Sequence, residues 1–308
     1  MPKKEISLYS SMVLAMLFWG LTFVFYKISF ESFRPVTVIL LRLLISVPFI
    51  YISGKILKKL ERIDKKDISY LILLAFFEPF LYFMGESYGL TYVSSTLAAV
   101  IVAIIPLIVP VAAYIVFREN LNSMNKIGLI ISFIGVLLVI LTSDVEWAAT
   151  LKGVMFMLMA VISAVAYALL IKKLTFKYNG FTITVYQNFF GIFFFLPFFF
   201  FLDFDHFVTT PPTTNSLLAL LYLGVVGSSI TFILFARGIR ELGASRANIF
   251  ANLIPVFAAI ASFFILKEEM PGLKIIGIVI VITGLILSQI KSVKLRKDKK
   301  AVRPPYPA

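Results

Sequence analysis

Two carboxylates, Glu78 and Glu86, stand inside an apolar stretch that reads AFFEPFLYFMGESYG over residues 75–89. A charge at the centre of a bilayer costs about 3 kcal/mol or more, so such residues are normally paired and face the protein interior. Arg42 lies near the middle of the preceding apolar stretch, which runs antiparallel to that of Glu78. We therefore expect Arg42 and Glu78 to reach similar depth, to face a cavity and to lie close enough to interact.

The role of this charged pair has two interpretations, and the sequence leaves both open. In the first, Arg42 and Glu78 form a permanent ion pair that only locks two helices together. In the second, one or both contact a zwitterionic or charged substrate, or Glu78 takes up a proton.

Tyr82 and Glu86 follow Glu78 at i+4 and i+8, so all three share one helical face. Glu86 would lie about 12 Å nearer the outer surface than Glu78, and we expect it in water at the membrane interface.

The composition is that of an integral membrane protein. The chain has 308 residues, 60% of them hydrophobic and 15% charged, with a mean hydropathy of +0.97, whereas soluble domains are about 45–50% apolar. The absence of cysteine and the single histidine, His206, exclude disulfides, thiolate metal sites and any site with two histidines. We expect neither a metal nor another cofactor. The net charge of +13 is better explained by basic cytoplasmic loops than by nucleic-acid binding.

A membrane-spanning helix needs about 20 mostly apolar residues, and the sequence predicts ten such spans, none with the period-two alternation of barrel strands. The predicted spans are residues 8–26, 35–53, 68–88, 94–117, 127–143, 153–171, 180–202, 216–236, 247–266 and 274–290. With the N-terminus in the cytoplasm, the inner segments hold 23 lysine and arginine residues and the outer segments hold 5. This asymmetry predicts that both termini are cytoplasmic. The tail, residues 291–308, is basic and proline-rich and is expected to be disordered.

The first half of the chain is repeated in the second half. The segment GLTYVSSTLAAVIVAIIPLIVPVAAYIVFREN (89–120) aligns with GIRELGASRANIFANLIPVFAAIASFFILKEE (238–269) at a constant offset of 149 residues. Nearer the start of the chain the offset is 145, where Arg42 meets Gln187. Pairs in the first register include Gly89/Gly238, Ala98/Ala247, Pro106/Pro255, Glu119/Glu268, Gly128/Gly277 and Gly135/Gly284.

This repetition predicts two five-helix units, residues 1–149 and residues 150–290. Because five is an odd number, the second unit must cross the membrane upside down. Inverted repeats place a binding site near the bilayer midplane at their interface, and two near-equivalent halves can exchange conformations to open that site to either side.

The residues of both repeats resemble the drug/metabolite transporter superfamily, in particular its EamA-type members. The matching pieces are FWGLTF (18–23), Arg42, the segment 89–120 followed by NKIGLIISFIGVLLV (125–139), and the stretch 238–287. The resemblance implies a ten-helix inverted-repeat carrier, with helices 1–4 and 6–9 around a central cavity and helices 5 and 10 at the periphery. It implies export or exchange of amino acids, other metabolites or drugs, and it leaves the substrate open. The second repeat departs from the tryptophan–glycine pattern of the first span at VISAVAY (161–167).

The polar and aromatic residues within the spans give the candidate site. The counterparts of Arg42 and Glu78 in the second repeat, Gln187 and Gly227, are uncharged, which favours a substrate or proton role for the charged pair. The residues predicted to line the cavity and contact substrate are Trp19, Arg42, Glu78, Tyr82, Gln187, Asn188 and Asn252.

Amides and prolines in the spans allow a second interpretation. Asn248 and Asn252 either bind substrate or hold helices together. Pro106 and Pro255 remove helical hydrogen bonds from paired spans, so they are predicted hinge points, with tolerated kinks as the alternative.

The sequence thus predicts a secondary carrier that exports or exchanges small metabolites, such as amino acids or drug-like compounds, across a bacterial inner membrane by alternating access. Its expected partners are a small-molecule substrate, the lipid bilayer and, through Glu78, protons; no nucleic acid is expected, and the chain would act as a monomer or homodimer. The alternatives are a non-transporting receptor or scaffold and a passive facilitator or channel. An enzyme is not expected, because the spans contain no nucleophile–base pair or metal set, and the lack of a P-loop argues against ATP as the direct energy source.

Overall fold

The computed structural model describes residues 3–117, 123–141, 147–242, 247 and 250–294. In these ranges the regular secondary structure is helical, so the predicted all-α class is confirmed. The helices are α1 (Lys3–Ser29), α2 (Pro35–Ile56), α3 (Lys65–Tyr92), α4 (Ser95–Val102), α5 (Ile105–Phe117), α6 (Ser123–Leu141), α7 (Trp147–Thr175), α8 (Gly180–Thr209), α9 (Thr214–Leu242), α10 (Phe250–Leu266) and α11 (Gly272–Lys294).

Length and apolar composition decide which helices could cross a membrane. In the described ranges, six helices meet both conditions, namely α1, α2, α3, α7, α8 and α9. The apolar runs in the other helices are shorter. The count of ten spans therefore stays a prediction, as does the division into residues 1–149 and 150–290. Glu119, Asn248 and the tail beyond residue 294 lie outside the described residues.

Helices α3 and α9 are interrupted by π-type turns at matching places in the two halves. The turn in α3 covers Phe76–Leu81 and the turn in α9 covers Leu223–Ile230, which contains the range reached by the 149-residue offset. Within the first turn Glu78 has extended backbone angles, φ −144° and ψ 116°. Pro79 follows it, and proline removes a backbone donor and clashes with the preceding helical turn. The helical geometry of α3 is therefore interrupted at Glu78, the residue whose carboxylate was predicted to bind substrate or a proton.

Helices α6 and α11 pack closely through glycines. A Cβ added at Gly135 would lie 2.7 Å from the carbonyl oxygen of Gly277, and one added at Gly284 would lie 2.7 Å from that of Gly128. Small residues let two backbones approach in this way. The large hydrophobic core includes residues of α6 and α11 together with those of the other helices, and in it α1 packs on α9 and α10, α3 packs on α7, and α2 packs on α8.

The two candidate hinge prolines occupy equivalent positions. Pro106 is the second residue of α5, which follows a non-helical turn after α4. Pro255 is the second residue of the α-helical part of α10 (Ile254–Ala261), which follows a short 3₁₀ turn, Phe250–Leu253. Proline is well tolerated in the first turn of a helix because the missing N–H has no intrahelical partner there. Each proline therefore starts a helical segment rather than bending the middle of one.

At one end of the bundle, the loop between α2 and α3 meets the loop between α7 and α8. The Lys177 ammonium bonds the carboxylates of Asp64 and Asp67, and the Tyr178 hydroxyl donates a 2.6 Å hydrogen bond to Asp67. These four residues form what we call the charged loop contact. The Lys177 and Asp64 side chains are 41% and 53% exposed, so this contact lies in water.

At the other end, the carboxylate of Asp203 in α8 caps the start of α2. It accepts hydrogen bonds from the backbone N–H of Thr37 at 2.8 Å and from the Thr37 hydroxyl at 3.0 Å. Both residues are buried, and an anion at a helix N-terminus is favoured by the unpaired N–H groups there. Asp203 and Thr37 form what we call the buried loop contact.

Candidate functional site

A cavity opens at the middle of the bundle, between residues of both halves of the chain. Its empty volume is about 710 Å³, which includes space open to solvent. Its lining comes from α1, α2, α3, α4, α5, α7, α9 and α10, and in the described structure α6, α8 and α11 contribute nothing to it. The lining residues are Trp19, Thr22, Phe23, Arg42, Glu78, Tyr82, Phe83, Glu86, Val102, Ile105, Ala164, Tyr167, Ala168, Phe232, Phe235, Ala251 and Ile254.

Arg42 reaches this cavity from α2 and is almost wholly enclosed. Its Nε donates a 2.7 Å hydrogen bond to the hydroxyl of Ser228 in α9, and its Nη1 donates to the hydroxyl of Tyr26 in α1. Its guanidinium carbon lies 4.1 Å from the centre of the Phe83 ring and 5.0 Å from that of Tyr26. Stacking on aromatic faces and hydrogen bonding together hold a desolvated guanidinium in one orientation.

The carboxylate closest to Arg42 is that of Glu86. Arg42 Nη1 and Glu86 Oε2 are 3.9 Å apart, and the Tyr82 hydroxyl donates a 3.1 Å hydrogen bond to Glu86 Oε1. The expectation that Glu86 lies in water at the membrane interface is wrong, because Glu86 is buried with 4% of its surface exposed. The depth estimate assumed an unbroken α3, whereas the chain leaves helical geometry at Glu78.

Glu78 lies in the same cavity but has a different environment. It is 6% exposed, and its carboxylate forms no hydrogen bond or ion pair with any residue that the structure describes. Glu78 and Arg42 thus line the same cavity, as expected. The residue that forms the ion pair with Arg42, however, is Glu86. Whether Glu78 binds substrate or a proton stays a prediction.

Aromatic rings form a large part of the remaining wall. Trp19 meets Phe232 and Phe235 edge-on, with centroids 5.3 Å and 4.8 Å apart, and Tyr167 meets Phe232 at 6.4 Å. Edge-to-face pairs of this kind are favourable beyond the area they bury. The predicted site residues Trp19 and Tyr82 therefore stand in the lining beside Arg42 and Glu78.

Three amide residues, Gln187, Asn188 and Asn252, were predicted to line the cavity, but they are not among its lining residues. Gln187 accepts a 3.2 Å hydrogen bond from the Tyr167 hydroxyl, and its buried Nε2 has no partner among the described residues. Asn188 donates to the Ser46 hydroxyl at 2.8 Å and to the Ser228 carbonyl at 2.9 Å, so it joins α8 to α2 and α9. Asn252 lies in the turn that opens α10, is 6% exposed and leaves its Oδ1 without a partner among the described residues.

Gly227, the counterpart of Glu78 in the second half, contributes space. A Cβ added there would come within 2.8 Å of Thr22 Cγ2 and 3.3 Å of Arg42 Nη2. The absence of a side chain at this position lets Arg42 cross from the first half towards α9.

The residues that contact Arg42 could be predicted only in part from the sequence. Tyr26 and Phe83 are aromatic residues among many, and Ser228 belongs to the other half of the chain. The signal that could have identified Glu86 is its i+4 spacing from Tyr82, whose hydroxyl can bond a carboxylate one turn away. As for metal binding, the described residues contain no cluster of three or more histidine, aspartate or glutamate side chains that could hold an ion.

Comparison with known proteins agrees with this arrangement. A sequence model described as the EamA-like transporter family matches the chain twice, over residues 7–141 and residues 151–289. YetK of Bacillus subtilis, described as an uncharacterized transporter, is 29% identical, covering 94% of this chain and 88% of its own length. An uncharacterized transporter of Archaeoglobus fulgidus is 27% identical, covering 88% of this chain and 97% of its own length.

A solved crystal structure gives the same result for the fold. It superposes with a TM-score of 0.70, covers 92% of this chain and 99% of its own, and shares 12% sequence identity, a likeness that shows the fold alone. The family match is what identifies the chain, because its two segments together span most of the sequence. The chain therefore belongs to the EamA-like transporter family, as the resemblance implied.

Proposed function

We propose that this protein is a secondary transporter that exports or exchanges small metabolites, such as amino acids or drug-like compounds, by alternating access. Its place would be a bacterial inner membrane, with both termini in the cytoplasm and the chain acting as a monomer or homodimer. The observation that carries the proposal is the cavity lined by residues of both family repeats, in which Arg42, Glu78 and Glu86 are all buried. Charged groups at this depth are expensive and typically mark a substrate or ion pathway.

The proposed inverted repeat is supported by the way helices pair. The contact of Gly135 with Gly277 and that of Gly284 with Gly128 exchange with each other under the 149-residue offset. The packing of α1 on α9 has its counterpart in the packing of α7 on α3. Contacts that exchange in this way are expected when two equivalent units meet around a two-fold axis in the membrane plane.

The proposed motion is a rocking of the two halves about the central cavity. Pro106 and Pro255 would serve as flexing points, since each begins a helical segment after a short break. The charged loop contact and the buried loop contact join the two halves at opposite ends of the bundle. In alternating access one such end opens while the other remains closed.

In this proposal Glu78 couples transport to protons. A buried carboxylate that has no partner among the described residues is available to bind a proton or a substrate cation. The test is transport in proteoliposomes offered a mixture of amino acids and other metabolites, with and without an imposed pH gradient, and with the vesicle contents identified by mass spectrometry. Protein-free vesicles and Glu78→Gln serve as controls.

A solute that accumulates only with protein and gradient, and no longer with Glu78→Gln, would support a proton-coupled carrier and would identify its substrate. A solute that merely equilibrates would indicate a facilitator and would remove proton coupling from Glu78. Movement of no solute at all would contradict the transport proposal.

A further inference from the structure

One ionisable side chain in the cavity lacks a partner among the described residues. Arg42 and Glu86 offset each other at 3.9 Å, and Tyr82 completes the environment of Glu86 with its hydroxyl hydrogen bond. Glu78 is the ionisable lining residue that remains without such a partner among the described residues, although 94% of it is enclosed. Its carboxyl group is therefore the one ionisable group in the described lining that is free to accept a ligand.

The contacts of Arg42 disfavour a substrate that binds through a negatively charged group. The Arg42 side chain is 2% exposed, and it already bonds Ser228 and Tyr26 while Phe83 covers its face. To reach Nε or Nη1, a substrate carboxylate would have to displace the Glu86 carboxylate or disrupt these contacts. Removing one partner from a buried pair is strongly unfavourable.

The uncharged wall of the cavity also favours a cation. Seven of its residues are aromatic, namely Trp19, Phe23, Tyr82, Phe83, Tyr167, Phe232 and Phe235. The faces of aromatic rings attract cations, most strongly where water is excluded. The cavity already holds one cation in this manner, because the Arg42 guanidinium lies 4.1 Å from the centre of the Phe83 ring.

We infer that the substrate is an amphipathic organic cation, an amine whose ammonium group pairs with Glu78 and whose apolar, preferably aromatic, body packs against the ring-lined wall. This inference narrows the small-metabolite class of the proposed function and rests on it. Arg42 and Glu86 then act as a fixed pair that holds α2, α3 and α9 around the ligand, without contacting it.

The test is a binding measurement with three probes that share a phenyl ring and similar size but differ in charge. 2-Phenylethylamine is a cation, phenylalanine is a zwitterion and 3-phenylpropanoate is an anion at neutral pH. Each is titrated into the purified full-length protein in detergent by isothermal titration calorimetry. The amine should bind at least about tenfold more tightly than either other probe, a difference of about 1.4 kcal/mol.

Variants of Glu78 assign the binding to this carboxylate. Glu78→Gln should abolish detectable binding of 2-phenylethylamine, while Glu78→Asp, which retains the charge, should keep part of it. The matched control is Glu31→Gln, the same chemical change at an exposed loop residue, and its affinity should equal that of the parent protein. Thermal unfolding of each variant verifies that it is folded before its affinity is compared.

The outcomes separate this inference from the proposed function. If phenylalanine or 3-phenylpropanoate binds more tightly, if Glu78→Gln retains the affinity, or if no probe binds at millimolar concentration, the cation inference is overturned, whatever the vesicles transport. If the amine binds through Glu78 but the proteoliposomes move neither it nor any metabolite, the cation site is supported and transport is contradicted. Binding and flux of 2-phenylethylamine that are both lost in Glu78→Gln support the two together.

Discussion

Each half of the chain has a long helix that is interrupted at the matching place, but the side chains at the two interruptions differ. The turn in α3 carries Glu78, and the matching turn in α9 carries Gly227. The same holds one helix earlier, where Arg42 in α2 corresponds to Gln187 in α8. One half therefore supplies the charges, and the other supplies the room that the Arg42 side chain occupies. The backbone follows the repeat, while the chemistry belongs to single residues that the repeat does not share.

The largest effect is expected when the first half receives the side chain that the second half has at the matching position. Arg42→Gln removes the ion pair with Glu86 and the bonds to Tyr26 and Ser228. It should lower the free energy of unfolding by about 3–5 kcal/mol, because a buried charge is left without its partner. The measurement is unfolding in mixed micelles with increasing denaturing detergent.

The control for this prediction is the reciprocal site. Gln187→Leu should cost only about 1 kcal/mol or less, since Gln187 bonds Tyr167 through Oε1 alone and its Nε2 has no partner among the described residues. Adding Glu86→Gln to Arg42→Gln should restore part of the lost stability. Equal costs for Arg42→Gln and Gln187→Leu would show that the two halves are equivalent after all.

A smaller effect is expected from filling the space in the second half. Gly227→Ala puts a methyl group 2.8 Å from Thr22 Cγ2 and 3.3 Å from Arg42 Nη2, and overpacking of this kind costs about 1–3 kcal/mol. Gly272→Ala is the matched control, because a Cβ at Gly272 meets nothing within 4 Å. The same unfolding assay applies. Stability unchanged by Gly227→Ala would contradict the close approach of Arg42 to α9.

The buried loop contact should be worth somewhat less. Asp203→Asn removes the negative charge at the start of α2 but keeps an oxygen that can accept the hydrogen bonds of Thr37, so it should cost about 0.3–1 kcal/mol. Asp205→Asn makes the same change at an exposed position two residues away and should leave stability as it was. Thermal unfolding midpoints in detergent would register the difference, and a similar midpoint for both variants would remove Asp203 from the cap.

The smallest effect is expected at the charged loop contact, which lies in water. Hydrogen bonds to Asp64 and Asp67 raise the pKa of Lys177 above its usual value. A raised pKa contributes stability that is complete below the ordinary lysine pKa and is lost only as pH rises through the higher value, so the contact should be insensitive to pH near neutrality.

Salt, by contrast, should weaken the charged loop contact. Lys177→Met should lower the thermal midpoint slightly at low ionic strength and not at all at high ionic strength, with Lys55→Met, at an exposed residue of α2, as the control. A midpoint shift that persists in high salt would indicate a packing role for Lys177.

Much of the fold was predictable from the sequence, because long apolar runs and a constant offset specify helices and their repetition without reference to contacts. The cavity residues Trp19, Arg42, Glu78 and Tyr82 were predictable for a related reason: buried polar groups in apolar helices are normally turned inward. That Arg42 pairs with Glu86 rather than with Glu78 was not predictable, since the choice depends on how α3 changes direction at Glu78.

The amides were harder to place for another reason. Gln187, Asn188 and Asn252 are all buried, yet a buried amide is satisfied equally well by a neighbouring helix and by a ligand. The hydrogen bonds of Asn188 to Ser46 and Ser228 become visible only when α2, α8 and α9 are brought together. Spacing along one helix contains no information about a donor or acceptor on another.

Gly227 also shows why the two halves of the chain need different sequences. A homodimer of two identical five-helix units would carry a glutamate at both matching turns and an arginine at both matching places. The second glutamate would fall where a single added Cβ already comes within 3.3 Å of Arg42 Nη2. Two units with separate sequences can differ here, so that one keeps the acid while the other has no side chain. The present cavity therefore requires two halves that are alike in backbone and free to differ at one residue.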